Sequence, residues 1–126
     1  MGWRYPLLGR AWAEVRGFEA AVFQEHTEGK YLLAIIDSII ASGVSDQLAV
    51  TTSMHDLVIA PHPVPEPPID VLIVRAPGSL HPPEQGSVLI EYLAVSGRNT
   101  SIERPTTEAM GLFWRFVQEK FGVSRR

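Results

Sequence analysis

From Gln47 to Glu103 the chain offers one strand-like segment after another, with nothing helical between them. Parallel neighbouring strands need a crossover of a dozen or more residues, usually a helix. None is available, so successive strands must pair antiparallel. Helical periodicity is confined to the flanks, before Gln47 and after Pro105. The expected architecture is therefore α+β: a mostly antiparallel three- to four-stranded sheet, preceded by one or two helices and closed by a C-terminal amphipathic helix, with the helices against one face.

Within the strand region, Gln47–Ala60 is extended material rich in Val50, Thr51, Thr52, Val58 and Ile59, either one bent strand or two pieces. Ile69–Val74 is short and almost wholly apolar, which suits a strand central in its sheet and covered on both faces. The two are tied by a crossing that holds Pro61, Pro63, Pro65, Pro67 and Pro68. Polyproline II is its preferred local state, and a stiff connector is its simplest role. Ala76–Gly86 is a loop marked by Pro77-Gly78 and Pro82-Pro83. Ser87–Val95 and a segment from Arg98 or Asn99 to Glu103 form a hairpin across the turn Ser96–Asn99.

On the N-terminal flank, Trp12, Val15, Phe18 and Val22 recur at helical spacing from Arg10 onward. Gly17 weakens that helix by about 1 kcal/mol relative to alanine, and Gly29 separates it from the next. Lys30–Ser42 places Leu32, Ile35, Ile36, Ile39 and Ile40 on one side, with Gly43 in position to cap the end. On the other flank Pro105 opens the last helix, with Glu108 in its first turn. Ala109, Leu112, Phe113, Phe116 and Val117 line one face; Met110, Trp114 and Phe121 widen it, and Gly122 closes the helix. An aromatic spread this wide means deep burial or an interface.

A chain of 126 residues suits one domain, residues 1–126, able to bury a core without staples. It holds no cysteine, which removes disulfides, thiolate metal sites and cysteine nucleophiles together. The N-terminus lacks the apolar core of a signal peptide. Met1-Gly2 opens like a myristoylation site, but Pro6 stands where that motif requires Ser or Thr. The longest apolar run, Tyr31–Ile36, ends at Asp37-Ser38, far short of a membrane span. The cytoplasm is the expected compartment, and no membrane partner is expected. Net charge is −3 and the basic residues are scattered, which argues against nucleic acid; Arg125-Arg126 reads as a solvated tail. Arginine outnumbers lysine nine to two, a compositional bias typical of a GC-rich bacterial origin.

Chemistry-bearing residues gather between Thr51 and Arg75 but match no motif. As metal ligands, His55, His62 and His81, with Asp56, Glu66, Asp70 and Glu84 nearby, lack HExxH or any comparable spacing. His55 and Asp56 are adjacent, and neighbours on a strand face opposite ways. Ser53 lies near His55 without a nucleophile elbow; Thr51, Thr52 and Ser53 read as strand-end hydrogen-bonding groups. Across the hairpin, Glu91 is expected opposite Glu103 or its neighbour. Two such carboxylates would repel and raise a pKa for acid/base work, unless Arg75 or Arg104 neutralises them. Ala76–Ser79 is a turn and not a phosphate cradle. No cofactor is expected.

Two readings of function follow. The first is a small non-enzymatic bacterial binding protein: a subunit, adaptor, regulatory or immunity-type partner. Trp3, Tyr5, Trp12, Phe18, Phe23 and the C-terminal stripe exceed what one small core absorbs, and homodimerisation is the least demanding use of that surplus. A protein partner or self-association is thus expected over a small molecule. The second is a small hydrolase or metal-dependent enzyme using His55 and Asp56 with His62 or His81, or the Glu91/Glu103 pair.

Overall fold

In chain order the elements are α1 (Trp12–Phe23), α2 (Lys30–Ala41), β1 (Leu48–Ser53), β2 (Asp56–Pro61), β3 (Val71–Val74), β4 (Ser87–Leu93), β5 (Thr100–Pro105) and α3 (Ala109–Phe121). They belong to a computed structural model that describes residues 2–125; Met1 of the myristoylation reading and Arg126 of the tail reading lie outside the described residues. The five strands form one antiparallel sheet in the order β1-β2-β3-β4-β5. The α+β class and the C-terminal helix are as the sequence dictates, with five strands where three or four are expected.

The additional strand comes from Gln47–Ala60, which is two strands and not one. β1 and β2 pair from Leu48↔Pro61 to Ser53↔Asp56, leaving only Met54 and His55 to turn the chain. Met54 takes φ 57°. A positive φ at the first position of a two-residue hairpin loop is normally supplied by glycine, so the sequence carries no turn signal there. Within Ile69–Val74, β3 is central and fully buried, as the unbroken apolar run requires.

Strand alternation gives the sheet two cores. Leu57, Ile59, Leu72, Val74, Val88 and Ile90 face the helices and pack with Leu32, Ile35, Ile36, Ile39, Phe113 and Val117. Val58, Ala60, Val71 and Ile73 face the other way. There no helix covers them; the N-terminal segment does, through Leu7 and Trp3, together with Val64 of the proline connector. Trp3 bridges Ile69 by paired backbone bonds. The helices lie side by side, α1 against β1 and α2, α3 against α2 and β4. Two cores absorb part of the aromatic surplus: Phe23, Phe113, Trp114 and Phe116 are buried, while Met110, Leu112 and Phe121 at the margins of the C-terminal stripe are half-buried. Arg125 is not a free tail residue, because its guanidinium lies over the Trp114 ring, 5.4 Å from the centroid.

Two boundaries differ from expectation. Pro105 ends β5, and a single tight turn, Thr106–Glu108, precedes α3. The β4–β5 loop runs from Ala94 to Asn99, longer than the turn read from Ser96–Asn99. Side chains take the donors that would have continued the ladder: Asn99 Oδ1 accepts from Ala94 N–H, and Asp70 Oδ1 accepts from Val95 N–H.

Candidate functional site

The α1 helix does not bury the face its apolar spacing indicates. Val15, Glu19 and Phe23 point inward, while Phe18 and Val22 are exposed. The buried row 15, 19, 23 is as good a helical repeat as 15, 18, 22, but it runs through a glutamate. Glu19 is fully buried, and its Oε1 lies 2.8 Å from His55 Nδ1. Its Oε2 is buried with no hydrogen-bond partner. Burial pushes the Glu19 carboxyl up to about 7 against the opposing pull of the His55 bond. An ionised carboxylate without its full set of donors is disfavoured in a dry site.

His55 reaches Glu19 because the tight β1–β2 turn delivers its ring to the helix side. There it stacks on Phe18 (centroids 4.6 Å apart) and meets the edge of Phe23 at 5.5 Å. Arg10 lies over the Phe18 ring at 5.1 Å. Gly29 makes this packing possible from behind: a Cβ there would fall 2.1 Å from the Phe23 ring. With Nδ1 turned to a carboxylate, Nε2 is the nitrogen left for the outside, and the His55 side chain keeps 30% of its surface exposed.

Asp56, the first residue of β2, is on the opposite face, the one it shares by alternation with Val58 and Ala60. Its Oδ1 accepts from Ala76 N–H at 2.7 Å, and its Oδ2 accepts from Arg75 (2.9 Å) and Ser79 Oγ (2.7 Å). Arg75 also binds Glu91 at 2.7 Å. The Tyr31 hydroxyl, reaching from α2, donates to the Arg75 carbonyl; burial, with Asp56 and Glu19 adding, pushes that phenol up. This is a closed structural network in which one guanidinium, Arg75, engages both carboxylates.

The remaining candidates do not converge. Glu91 stands opposite Ser101, and Glu103 opposite Leu89, so the two carboxylates are not directly opposed; the longer loop offsets the register. Glu103 accepts from Glu84 N–H instead. His62 sits at the far end of the β1–β2 hairpin from His55, with its N–H bonded to the Gln47 carbonyl. The whole of β2 separates them, about 20 Å of extended chain. His81 lies in the exposed β3–β4 loop, its N–H bonded to Ser79 Oγ. Among the described residues, no three His, Asp or Glu side chains gather as a metal-binding group. Ser53 is exposed at the strand end, and Thr52 Oγ1 accepts from Arg10.

No protein-family model matches the chain, and no curated protein or solved structure matches it.

Exposed apolar residues stand close to His55. Phe18 stacks on it, Met54 precedes it in the turn, and Val22 follows Phe18 by one helical turn; Phe18, Val22 and Met54 are all exposed. Sequence periodicity assigns Phe18 and Val22 to the core and so hides both this patch and the glutamate beneath it. The available signal is the second repeat, Val15–Glu19–Phe23, interrupted by a charge.

Proposed function

We propose that the protein is a non-enzymatic interaction protein, a subunit, adaptor, regulatory or immunity-type partner, and that it docks a protein segment on the outer face of α1 and the β1–β2 turn. One observation carries this: Phe18, Val22 and Met54 form an exposed apolar patch around the partly exposed His55 ring. Scattered exposed apolar residues need no explanation, but a cluster with a polar rim marks an interaction face. Arg10, which lies over the Phe18 ring, supplies such a rim. The hydrolase reading has less support, because Asp56 and Glu91 are already engaged by Arg75.

The test is tagged capture from the native host with wild-type protein and a Phe18→Asp/Val22→Asp variant, run with and without chelator. The expected result is a co-purifying protein that the variant loses and the chelator does not affect. A partner retained by the folded variant would overturn this placement.

A further inference from the structure

α3 packs against β4, and β5 is the last strand, with no described strand on its outer side. A groove of about 360 Å³ runs between β5 and α3, lined by Ile102, Arg104, Glu108, Gly111, Leu112 and Arg115 among others. The other edge of the sheet is treated differently. Arg10 N–H binds the Val50 carbonyl and Trp12 Nε1 binds the Leu48 carbonyl, so the chain itself covers β1.

The backbone of β5 defines what would fit. Arg75 N–H donates to the Leu89 carbonyl, so the odd residues of β4 face β3 and the even ones face β5. Their partners Thr100, Ile102 and Arg104 therefore spend their backbone groups on β4. Ser101 and Glu103 direct theirs outward, while the Glu103 side chain turns back to Glu84 N–H. An edge with unspent N–H and carbonyl groups is a template for another strand.

We infer that the occupant is β5 of a second copy, paired antiparallel about a twofold axis at Ile102. In that register Ser101 of each copy meets Glu103 of the other, and all the outward backbone donors and acceptors of these residues are used. Ile102 faces its own counterpart on the helix side, next to Leu112 in the groove. The adjacent register, centred on Glu103, would set two glutamates directly against each other and is disfavoured.

Charge on α3 agrees with the same axis. A twofold axis perpendicular to the sheet makes the two α3 helices antiparallel. Glu108, the last residue of the tight turn that leads into α3, and Arg115 on α3 are exposed, with Gly111 and Leu112 midway between them along the chain. An axis passing at that midpoint sets Glu108 of each copy opposite Arg115 of the other. With α3 over β4 and strands about 4.8 Å apart, the two helix axes stand about 14 Å apart, a span that long Glu and Arg side chains bridge. The groove lining brings Ile102 and Arg104 together with Gly111 and Leu112, so strand and helix place the axis together. This self-pairing uses a different face from the α1 patch and stands whether or not that patch binds a partner.

The experiment is sedimentation equilibrium on the full chain across micromolar concentrations, with circular dichroism as a control for folding. Wild type is expected to dimerise. Ser101→Pro removes an outward N–H without touching the β4 ladder and should weaken the dimer roughly tenfold or more. Arg115→Glu should weaken it, and adding Glu108→Arg to that variant should restore it by exchanging the charges. A wild-type protein that stays monomeric would overturn the inference. So would a dimer that survives Ser101→Pro, or one that Phe18→Asp dissociates while Ser101→Pro does not.

Discussion

His55 and Asp56 are neighbours in sequence, and they lead to two buried carboxylates of opposite character. On the far face, Asp56 is saturated: both oxygens are bonded, and Arg75 holds it to Glu91. On the helix face, Glu19 has one bond and one bare oxygen. Both carboxylates are buried, and they differ in the number of donors they accept from. Glu19, the one short of donors, is pushed up to about 7 by its burial, because an ionised carboxylate with unfilled lone pairs is disfavoured in a dry site. The Asp56 side therefore reads as a rivet for the strand ends and the β3–β4 loop. The Glu19 side reads as a tolerated defect under an exposed surface.

The largest effect is expected at the rivet. Arg75→Met removes the one cation that Asp56 and Glu91 share, and should destabilise the fold by about 3–5 kcal/mol at pH 7, measured by urea unfolding. A loss under about 1 kcal/mol would make the network an ordinary surface ion pair and erase the contrast with Glu19.

On the opposite face, His55→Ala strips Glu19 of its one partner and removes the ring that Phe18 and Phe23 pack on. The expected cost is about 3 kcal/mol at pH 8, where the buried Glu19 carboxylate loses its hydrogen-bond donor, and clearly less at pH 5, where Glu19 is protonated. A cost independent of pH would mean that only ring packing was lost.

Glu19→Gln isolates the charge. The folded carboxyl titrates at about 7 against its ordinary 4.5. Between those values the folded protein holds a proton that the unfolded chain has released, so raising the pH favours unfolding. Stability should decline from about pH 4.5 to about pH 7 and then level off. The shift corresponds to roughly 3 kcal/mol at most. The glutamine amide keeps an acceptor for His55 and brings no charge, so E19Q should flatten this decline and gain about 1–2 kcal/mol at pH 8. Unfolding curves collected from pH 4 to 8 would decide it; an unchanged slope would assign the pH dependence to another group.

These contrasts also explain which parts of the chain are legible in its sequence. The sheet is, because Ile69–Val74 and Ser87–Val95 are long enough in apolar or alternating pattern to leave no other choice. The α2 helix is in large part: Leu32, Ile35, Ile36 and Ile39 are buried as its stripe requires, while Ile40 is exposed and Tyr31 and Leu33 are buried instead. The α1 helix is not: rows 15–18–22 and 15–19–23 both satisfy a helix, and only the tertiary position of His55 selects the one that buries Glu19. The hairpin turn is hidden for a related reason, since neither Met54 nor His55 is a turn residue. Of the candidate site, His55 can be singled out from sequence; Glu19 and the patch cannot, because both depend on how α1 is rotated.

Met54 gives the finest test of the two-sided picture. A non-glycine residue at φ 57° is held in the left-handed region at a cost on the order of 1 kcal/mol, and its side chain gains little from burial, being 62% exposed. Met54→Gly should relieve that strain while adding some freedom to the unfolded chain, for a net gain of about 0.5 kcal/mol, read from the urea midpoint. If the turn serves only to send His55 and Asp56 to opposite faces, glycine does that as well or better and nothing else changes. If the turn also presents an apolar contact, the stabilised variant should lose captured partner relative to wild type.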